Sequence, residues 1–205
     1  MKKVFASFLL LFLCFLATAK EYRYKYTFTP VPKANLYIKG NKAVISSQGL
    51  TISVRQVEKV PFAEQFKVFD IKPNVFFIFF EIKITNNSGK TVYLDPNFIS
   101  LVSNKKEYRK PMLYNDIFRA LSKEYPQNEI NEVFSKYLIE FANPITPGKK
   151  FKGYMVFRNF REKTKNAMLK FDAVTIGVEQ TNFLIIYSVK GEKINVENKF
   201  KKKSL

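Results

Sequence analysis

The chain has 205 residues and a net charge of +18, with 35 Lys and Arg against 17 Asp and Glu. It has no histidine and one cysteine, which excludes Ser–His and Cys–His nucleophile pairs, imidazole ligands and multi-thiolate metal sites. Its seven glycines form no phosphate-binding loop. We therefore predict a protein that is not an enzyme and that uses no cofactor and no metal.

The first 19 residues have the pattern of an export signal. Two lysines precede an apolar run over residues 4–16, which is shorter than the roughly 20 apolar residues of a membrane-spanning helix. Ala17 and Ala19 form a small-x-small cleavage site before Lys20. We predict cleavage after Ala19, a periplasmic or extracellular location, and no membrane span after cleavage.

Two alternatives to simple cleavage stay open at this end of the chain. An uncleaved anchor is one, and a lipid on Cys14 is the other, although Phe12 and Leu13 are bulky for a lipidation motif. Cleavage would remove 19 residues with two lysines and no acid, leaving 186 residues at +16. That excess of positive charge predicts attraction to anionic lipid or polysaccharide, and in an exported protein it makes nucleic acid an improbable partner.

Residues 20–40 form an N-terminal strand or arm in which aromatic and polar residues alternate from Tyr22 to Phe28. Period two places the aromatic rings on one face, and Pro30 ends the ladder. Arg23 and Lys25, interleaved with the rings, are possible anion-binding residues. The competing interpretation is a strand with its rings inward and its charges outward.

Strands continue through residues 43–60, and the strongest pattern follows at residues 75–85. There, one face is wholly apolar, while the other is apolar at Phe77 and Phe79 and polar from Glu81 onward. This predicts a strand that is buried on both faces at one end and solvated on one face at the other. The connection over residues 61–74 is irregular, with Phe66, Val68 and Ile71 expected in the core.

In residues 113–141 the apolar residues no longer alternate with polar ones but recur every three or four positions. This spacing predicts a helical insertion. A short helix is expected around Ile117, and a second amphipathic helix is expected after Asn128 as its N-cap. The apolar side chains of the second helix form a possible partner face, which comprises Ile130, Val133, Phe134 and Tyr137. The alternative is that this face covers the protein's own sheet.

Three further strands are expected at residues 151–157, 171–178 and 183–189, followed by a basic tail over residues 191–205. The tail adds four possible anion-binding residues, Lys199, Lys201, Lys202 and Lys203. Seven to nine short strands separated by turns predict a mainly β protein. We favour an immunoglobulin-like antiparallel β-sandwich over residues 41–190.

Turn and core residues appear in a recognisable order, namely residues 84–88, Val92, Pro96, Phe98, Leu101 and Tyr108, then residues 147–148, Gly153 and residues 156–157. This pattern resembles an uncharacterised family of bacterial exported immunoglobulin-like domains, often lipoprotein-attached and similar in fold to secreted immunoprotective antigens. The resemblance covers about residues 50–190 and implies the fold. It supplies no catalytic residue.

Carboxylates could still work in catalytic pairs, as they do in glycosidases. The candidates by residue type are Asp70, Glu81, Asp95, Asp116, Glu140 and Asp172. A glycosidase-like mechanism would need two of them facing each other in a cleft, at roughly 5–10 Å. The carboxylate-based hydrolase is therefore the most distant of the functions considered.

The primary functional hypothesis is an exported, non-enzymatic binding or scaffolding module of the cell envelope that contacts another envelope protein. The alternative is an electrostatic binder of anionic envelope lipid or polysaccharide. Salt separates the two, because binding driven by counterion release weakens steeply with salt and an apolar interface does not.

Overall fold

The computed structural model describes residues 22–66, 76–141 and 143–195. The predicted signal with Cys14, the core positions Val68 and Ile71, and residues 196–205 of the tail lie outside this part. Its strands are β1 (Tyr22–Pro30), β2 (Leu36–Lys39), β3 (Lys42–Ser47), β4 (Leu50–Val57), β5 (Phe77–Asn86), β6 (Val92–Tyr93), β7 (Ile99–Ser103), β8 (Tyr108–Arg109), β9 (Lys150–Arg158), β10 (Asn166–Ile176) and β11 (Glu179–Asn195). Its helices are a 3-10 turn (Pro96–Phe98), α1 (Tyr114–Leu121) and α2 (Gln127–Tyr137).

The strands form two antiparallel sheets. Sheet 1 has the order β1-β11-β10-β7-β8, with β6 also paired to β10, and sheet 2 has the order β2-β3-β4-β5-β9. Buried side chains from both sheets form one apolar cluster, the inter-sheet core. The prediction of a mainly β protein with antiparallel sheets arranged as a sandwich is therefore confirmed.

Aromatic rings of β1 enter the inter-sheet core. Tyr26 and Phe28 are buried, and Phe28 meets Phe80 of sheet 2 and Tyr187 of sheet 1 edge-on, with ring centroids 5.5 and 5.6 Å apart. Since β1 is the edge strand beside β11, its inward aromatic face also closes that side of the sandwich.

Strand β5 is buried on both faces for half of its length. Ile78, Phe80 and Ile82 point into the inter-sheet core, whereas Phe79 belongs to a second apolar cluster on the outer face of sheet 2. Beyond Phe79 that outer face becomes charged, and Lys83 is exposed. The predicted change from a doubly buried to a half-solvated strand is confirmed.

The helical insertion supplies five of the eleven buried residues of the second cluster, which we call the helix core. Apolar residues of α1 and α2 pack on Phe79 and Val156 of sheet 2. The segment that follows β4 contributes Phe62 and Phe66, and Phe66 is fully buried as predicted. The insertion therefore covers one half of the outer face of sheet 2 and leaves the other half open.

Three local predictions are corrected. Strand β11 extends to Asn195, into the segment assigned to the tail, because residues 190–195 pair with β1. Helix α2 starts at Gln127 after Pro126, so Asn128 lies inside it and is not its N-cap. Strand β2 was not expected, because four residues are too few to show a period.

Candidate functional site

Strand β9 is the edge strand of sheet 2, and both ends of the helical insertion bond to it. Before α1, the Met112 N–H donates to the Val156 carbonyl at 2.7 Å. After α2, the Ile139 N–H donates to the Tyr154 carbonyl at 3.3 Å. The two flanks therefore cover the free edge of β9, which would otherwise offer unpaired backbone groups to another chain.

A cleft of about 690 Å³ opens between these two flanks, α2 and the corner that follows β6. Its deeper lining is buried and apolar and includes Leu94, Pro111, Phe134, Ile139 and Met155. Its rim carries apolar side chains that are exposed to solvent, among them Tyr93, Leu113 and Tyr114. This volume lies in the range of ligand and side-chain binding sites.

Four exposed polar residues line the cleft, namely Asp95, Asn131, Ser135 and Glu140. The Tyr114 hydroxyl donates to Asn131 Oδ1, which ties the start of α1 to α2. Asp95 accepts from the Asn97 N–H at 2.8 Å and Glu140 accepts from Asn143 Nδ2 at 3.1 Å, so both carboxylates are oriented.

The surroundings of the cleft are acidic compared with the rest of the chain. Residues 113–141 hold five acids and three bases, a net charge of −2 in a protein of +18. Asp95 adds a further negative charge to the cleft lining. The cleft therefore combines an apolar floor with a rim that favours cations over anions.

The predicted partner face on α2 is turned inward. Ile130, Val133 and Phe134 are buried in the helix core, and Tyr137 is half-buried against it. These positions agree with the alternative interpretation, in which the apolar side chains of α2 cover the protein's own sheet. Phe134 also lines the cleft, so one residue of the predicted face reaches the candidate site.

The predicted anion-binding residues of β1 already contact the protein's own groups. The Arg23 guanidinium lies 5.8 Å from the centre of the Phe76 ring, and Lys25 Nζ lies 3.4 Å from Glu58 Oε1. Both side chains are half-buried. The other residues of this set, Lys199, Lys201, Lys202 and Lys203, lie outside the described residues, as do the cleavage-site residues Ala17, Ala19 and Lys20.

The candidate carboxylates are dispersed, except for Asp95 and Glu140, which line the same cleft. Asp116 accepts from the Leu113 N–H at the start of α1, and Asp172 lies 3.6 Å from Lys170 Nζ. Asp70 lies outside the described residues. Sequence reasoning grouped these acids by type alone, and no local pattern signals that Asp95 and Glu140, 45 positions apart, share a cleft.

Glu81 is the buried carboxylate of the outer face of sheet 2, with 8% of its surface exposed. It binds Arg55, and Lys152 Nζ lies 2.8 Å from its Oε1. Burial would raise the pKa of this carboxyl, but the hydrogen bonds and charges of Lys152 and Arg55 outweigh burial and lower it. Glu81 is therefore an ionised, doubly paired group.

The described ranges 22–66, 76–141 and 143–195 contain no group of three or more His, Cys, Asp or Glu residues placed to hold a metal ion. No helix among them has the length and apolar character that a transmembrane segment requires.

No protein-family model and no curated protein matches this chain. Among solved structures, it is similar to the crystal structure of a functionally unknown protein from Listeria monocytogenes EGD-e. The two share 14% identity over 84% of this chain and 89% of the other, with a TM-score of 0.39. A likeness at this level carries no conclusion about fold or function.

Proposed function

We propose that this protein is an exported, non-enzymatic binding module whose cleft receives an apolar segment of another envelope protein. The observation that carries the proposal is the cleft itself, in which exposed apolar side chains on the rim, among them Tyr93 and Leu113, surround an apolar floor. An open apolar cavity of this size is a feature that monomeric proteins rarely keep without a ligand.

The chemistry of the rim selects the kind of segment. Asp95 and Glu140 lie on the rim, and the insertion is acidic overall, so a segment with Lys or Arg beside its apolar residues would be attracted. The Tyr93 side chain on the rim is exposed and can contact the same basic side chains. The expected partner therefore presents an aromatic or aliphatic anchor flanked by basic residues.

The proposal that the protein is exported is based on the pattern of residues 1–19. The proposal that its fold is immunoglobulin-like is based on the order in which the chain forms the two sheets. The chain passes between the two antiparallel sheets four times, after β1, β5, β8 and β9. Such crossings are typical of immunoglobulin-like sandwiches. We propose on this basis, and on the motifs quoted above, membership in the exported immunoglobulin-like family that the sequence resembles.

A peptide selection tests the binding function. The purified protein, without any substitution, is immobilised, and a random phage-displayed peptide library is selected for binding to it. We expect enriched peptides in which one or two large apolar residues are flanked by Lys or Arg. Their synthetic forms should retain most of their affinity at high salt, because the anchor is apolar.

Blocking the cleft provides the decisive comparison. Ser135 is exposed on α2 and lines the cleft, so Ser135→Trp should fill it and weaken the selected peptides at least tenfold. Ser122→Trp places the same ring on an exposed serine at the end of α1, away from the cleft lining, and should change little. Equal binding by both variants, or the absence of any enriched peptide, would refute this function.

The carboxylate hydrolase is kept as a second candidate because Asp95 and Glu140 line one cleft. It predicts hydrolysis of a glycoside by the purified protein that disappears in both Asp95→Asn and Glu140→Gln. The binding function predicts no turnover, and it predicts that each substitution weakens only peptides with basic flanks.

A further inference from the structure

The open half of the outer face of sheet 2 carries many cations and one acid. We call it the basic face. Its charged residues are Lys39, Lys42, Arg55, Lys83, Lys150 and Lys152, with Glu81 between them. Glu81 is already paired with Arg55 and Lys152, and no ion pair of Lys42 or Lys83 is found within the described residues. The face therefore has an excess of five positive charges.

The strand register aligns these cations in rows that cross the sheet. One row runs through Lys39, Lys42 and Arg55, which are direct neighbours on β2, β3 and β4. A second row pairs Lys83 of β5 with Lys152 of β9. Because adjacent strands lie about 4.8 Å apart, the cations form a track of roughly 19 Å across five strands.

Like charges stand directly opposite each other along this track. The pairs are Lys39 with Lys42, Lys42 with Arg55, and Lys83 with Lys152. Such cross-strand pairs destabilise a sheet, and only Arg55 and Lys152 are compensated by Glu81. The Lys39–Lys42 pair has no acid partner on either side, and Lys42 and Lys83 stay uncompensated in the other two pairs, so an external anion would relieve the repulsion along the track.

Small hydroxyl groups lie between the cations. Ser53 stands next to Lys83 in the register, and Thr51 Oγ1 lies 2.9 Å from Ser46 Oγ on the same face. A shallow depression of about 270 Å³ is bounded by Lys42, Ser53, Arg55, Glu81, Lys83 and Lys152. Hydroxyl donors and acceptors beside cations suit a ligand that carries both hydroxyl and acidic groups.

The helical insertion determines which form of anion can reach this face. α1 and α2 pack on Phe79 and Val156, which lie two residues along the strands from Glu81 and Tyr154. A helix with its side chains is about 10 Å thick, so the insertion forms a wall beside the track. A planar membrane meets this wall before it meets the lysines, whereas a linear polymer can lie alongside the wall.

We propose that the basic face binds an acidic polysaccharide chain, laid across the strands of sheet 2. Nucleic acid is disfavoured, because single-strand binding uses aromatic rings between the cations and Tyr37 is the one exposed ring on the described part of this face. The site is separate from the cleft and involves neither the Arg23 and Lys25 pair nor the tail lysines.

The test uses polygalacturonate fragments, whose repeating carboxylates supply the required chemistry. We expect binding at low salt that weakens steeply as salt rises. The double variant Lys42→Gln/Lys83→Gln removes two of the four cations of this face that have no ion pair among the described residues, and it should weaken binding by roughly tenfold. Both side chains reach solvent, so an unchanged thermal unfolding curve should show that the variant folds.

The matched control is Lys105→Gln/Lys123→Gln, which removes the same charge from exposed positions that are not on the strands of sheet 2 and should change binding less than twofold. Equal losses in the two double variants would overturn the proposal, because net charge alone would then explain binding. It would also be overturned by absent binding, or by tighter binding of phosphatidylglycerol vesicles or a single-stranded oligonucleotide. Ser135→Trp should leave polygalacturonate binding unchanged, which separates this proposal from the cleft.

Discussion

Ile139 occupies the space that a side chain at position 153 would need. A Cβ atom on Gly153 would lie 2.8 Å from Ile139 Cγ1 and 3.2 Å from the Ile139 backbone nitrogen. The same backbone nitrogen donates to Tyr154, so the close approach fixes the chain where it leaves α2 and returns to β9. The absence of a side chain at Gly153 is therefore what allows the insertion to cover the edge of β9.

Gly153→Ala should force the segment after α2 away from β9. We expect it to lower the free energy of unfolding by about 1 to 3 kcal/mol, as overpacking does in well-packed sites. Urea unfolding measures the change. In an Ile139→Ala background the same substitution should cost less, because the Cγ1 atom is gone, and additive effects in this double-mutant cycle would contradict the steric explanation.

Asn86 ties the turn after β5 to the segment before β9. Its Nδ2 donates to the carbonyls of Lys90 at 2.8 Å and Ile145 at 2.7 Å, and its Oδ1 accepts from Ser88. Asn86→Ala should cost about 2 to 3 kcal/mol, because the fully buried side chain loses the two hydrogen bonds that it donates and those that it accepts from Ser88. Asn87→Ala is the control on the exposed neighbour, and an equal loss there in chemical denaturation would contradict this account.

The sequence predicted the local elements well where period and burial coincide. Strand β5 is an example. On its outer face, apolar Phe79 lies in the half that the helices cover, and Glu81 begins the half that they leave open. The extension of β11 to Asn195 was missed, because it depends on pairing with β1, more than 160 residues earlier. Long-range pairing of polar residues leaves no local period.

The candidate sites were beyond sequence reasoning for the same physical reason. The cleft joins Tyr93 and Asp95 to Ser135 and Glu140, which only the chain crossings bring together. The basic face depends on the strand register, since a shift of one residue would turn Lys42 and Lys83 into the inter-sheet core. The charge composition predicted attraction to anionic partners, but it could not show which lysines and arginines lie on one surface.

Tyr187 is buried in the inter-sheet core, and its hydroxyl has no hydrogen-bond partner among the described residues. Burial raises the pKa of this hydroxyl well above its ordinary value of 10. Tyr187→Phe keeps the ring contacts and removes a desolvated polar atom, so it should be neutral or stabilise by about 1 kcal/mol. Thermal unfolding measures this change.

Tyr26→Phe is the matched comparison. Tyr26 is equally buried, but its hydroxyl donates to the Glu162 carbonyl. Loss of that bond should destabilise the protein by about 1 kcal/mol. Opposite signs for the two substitutions support the assignment of hydrogen bonds, and destabilisation by Tyr187→Phe would show that its hydroxyl has a partner.

Glu81 should make the free energy of unfolding depend on pH in the acidic range. Since its folded pKa lies below the ordinary 4.5, the unfolded chain takes up the proton first as pH falls. The contribution of Glu81 is therefore complete above about pH 4.5 and is lost progressively as pH falls towards the folded pKa. Urea midpoints measured from pH 7 to pH 3 should follow this decline.

The variant Glu81→Gln isolates the contribution of this carboxyl to the pH dependence from that of the other carboxyl groups. The variant should be less stable at pH 7 by about 1 to 2 kcal/mol, because Arg55 and Lys152 lose their shared partner on a half-exposed face. Its stability should decline less between pH 5 and pH 3 than that of the parent protein. Glu179→Gln, which removes an exposed pair with Lys90, should change stability by less than about 0.5 kcal/mol. If Glu81→Gln and the parent lose stability in parallel on acidification, the ion pairs of Glu81 are not the source of the pH dependence.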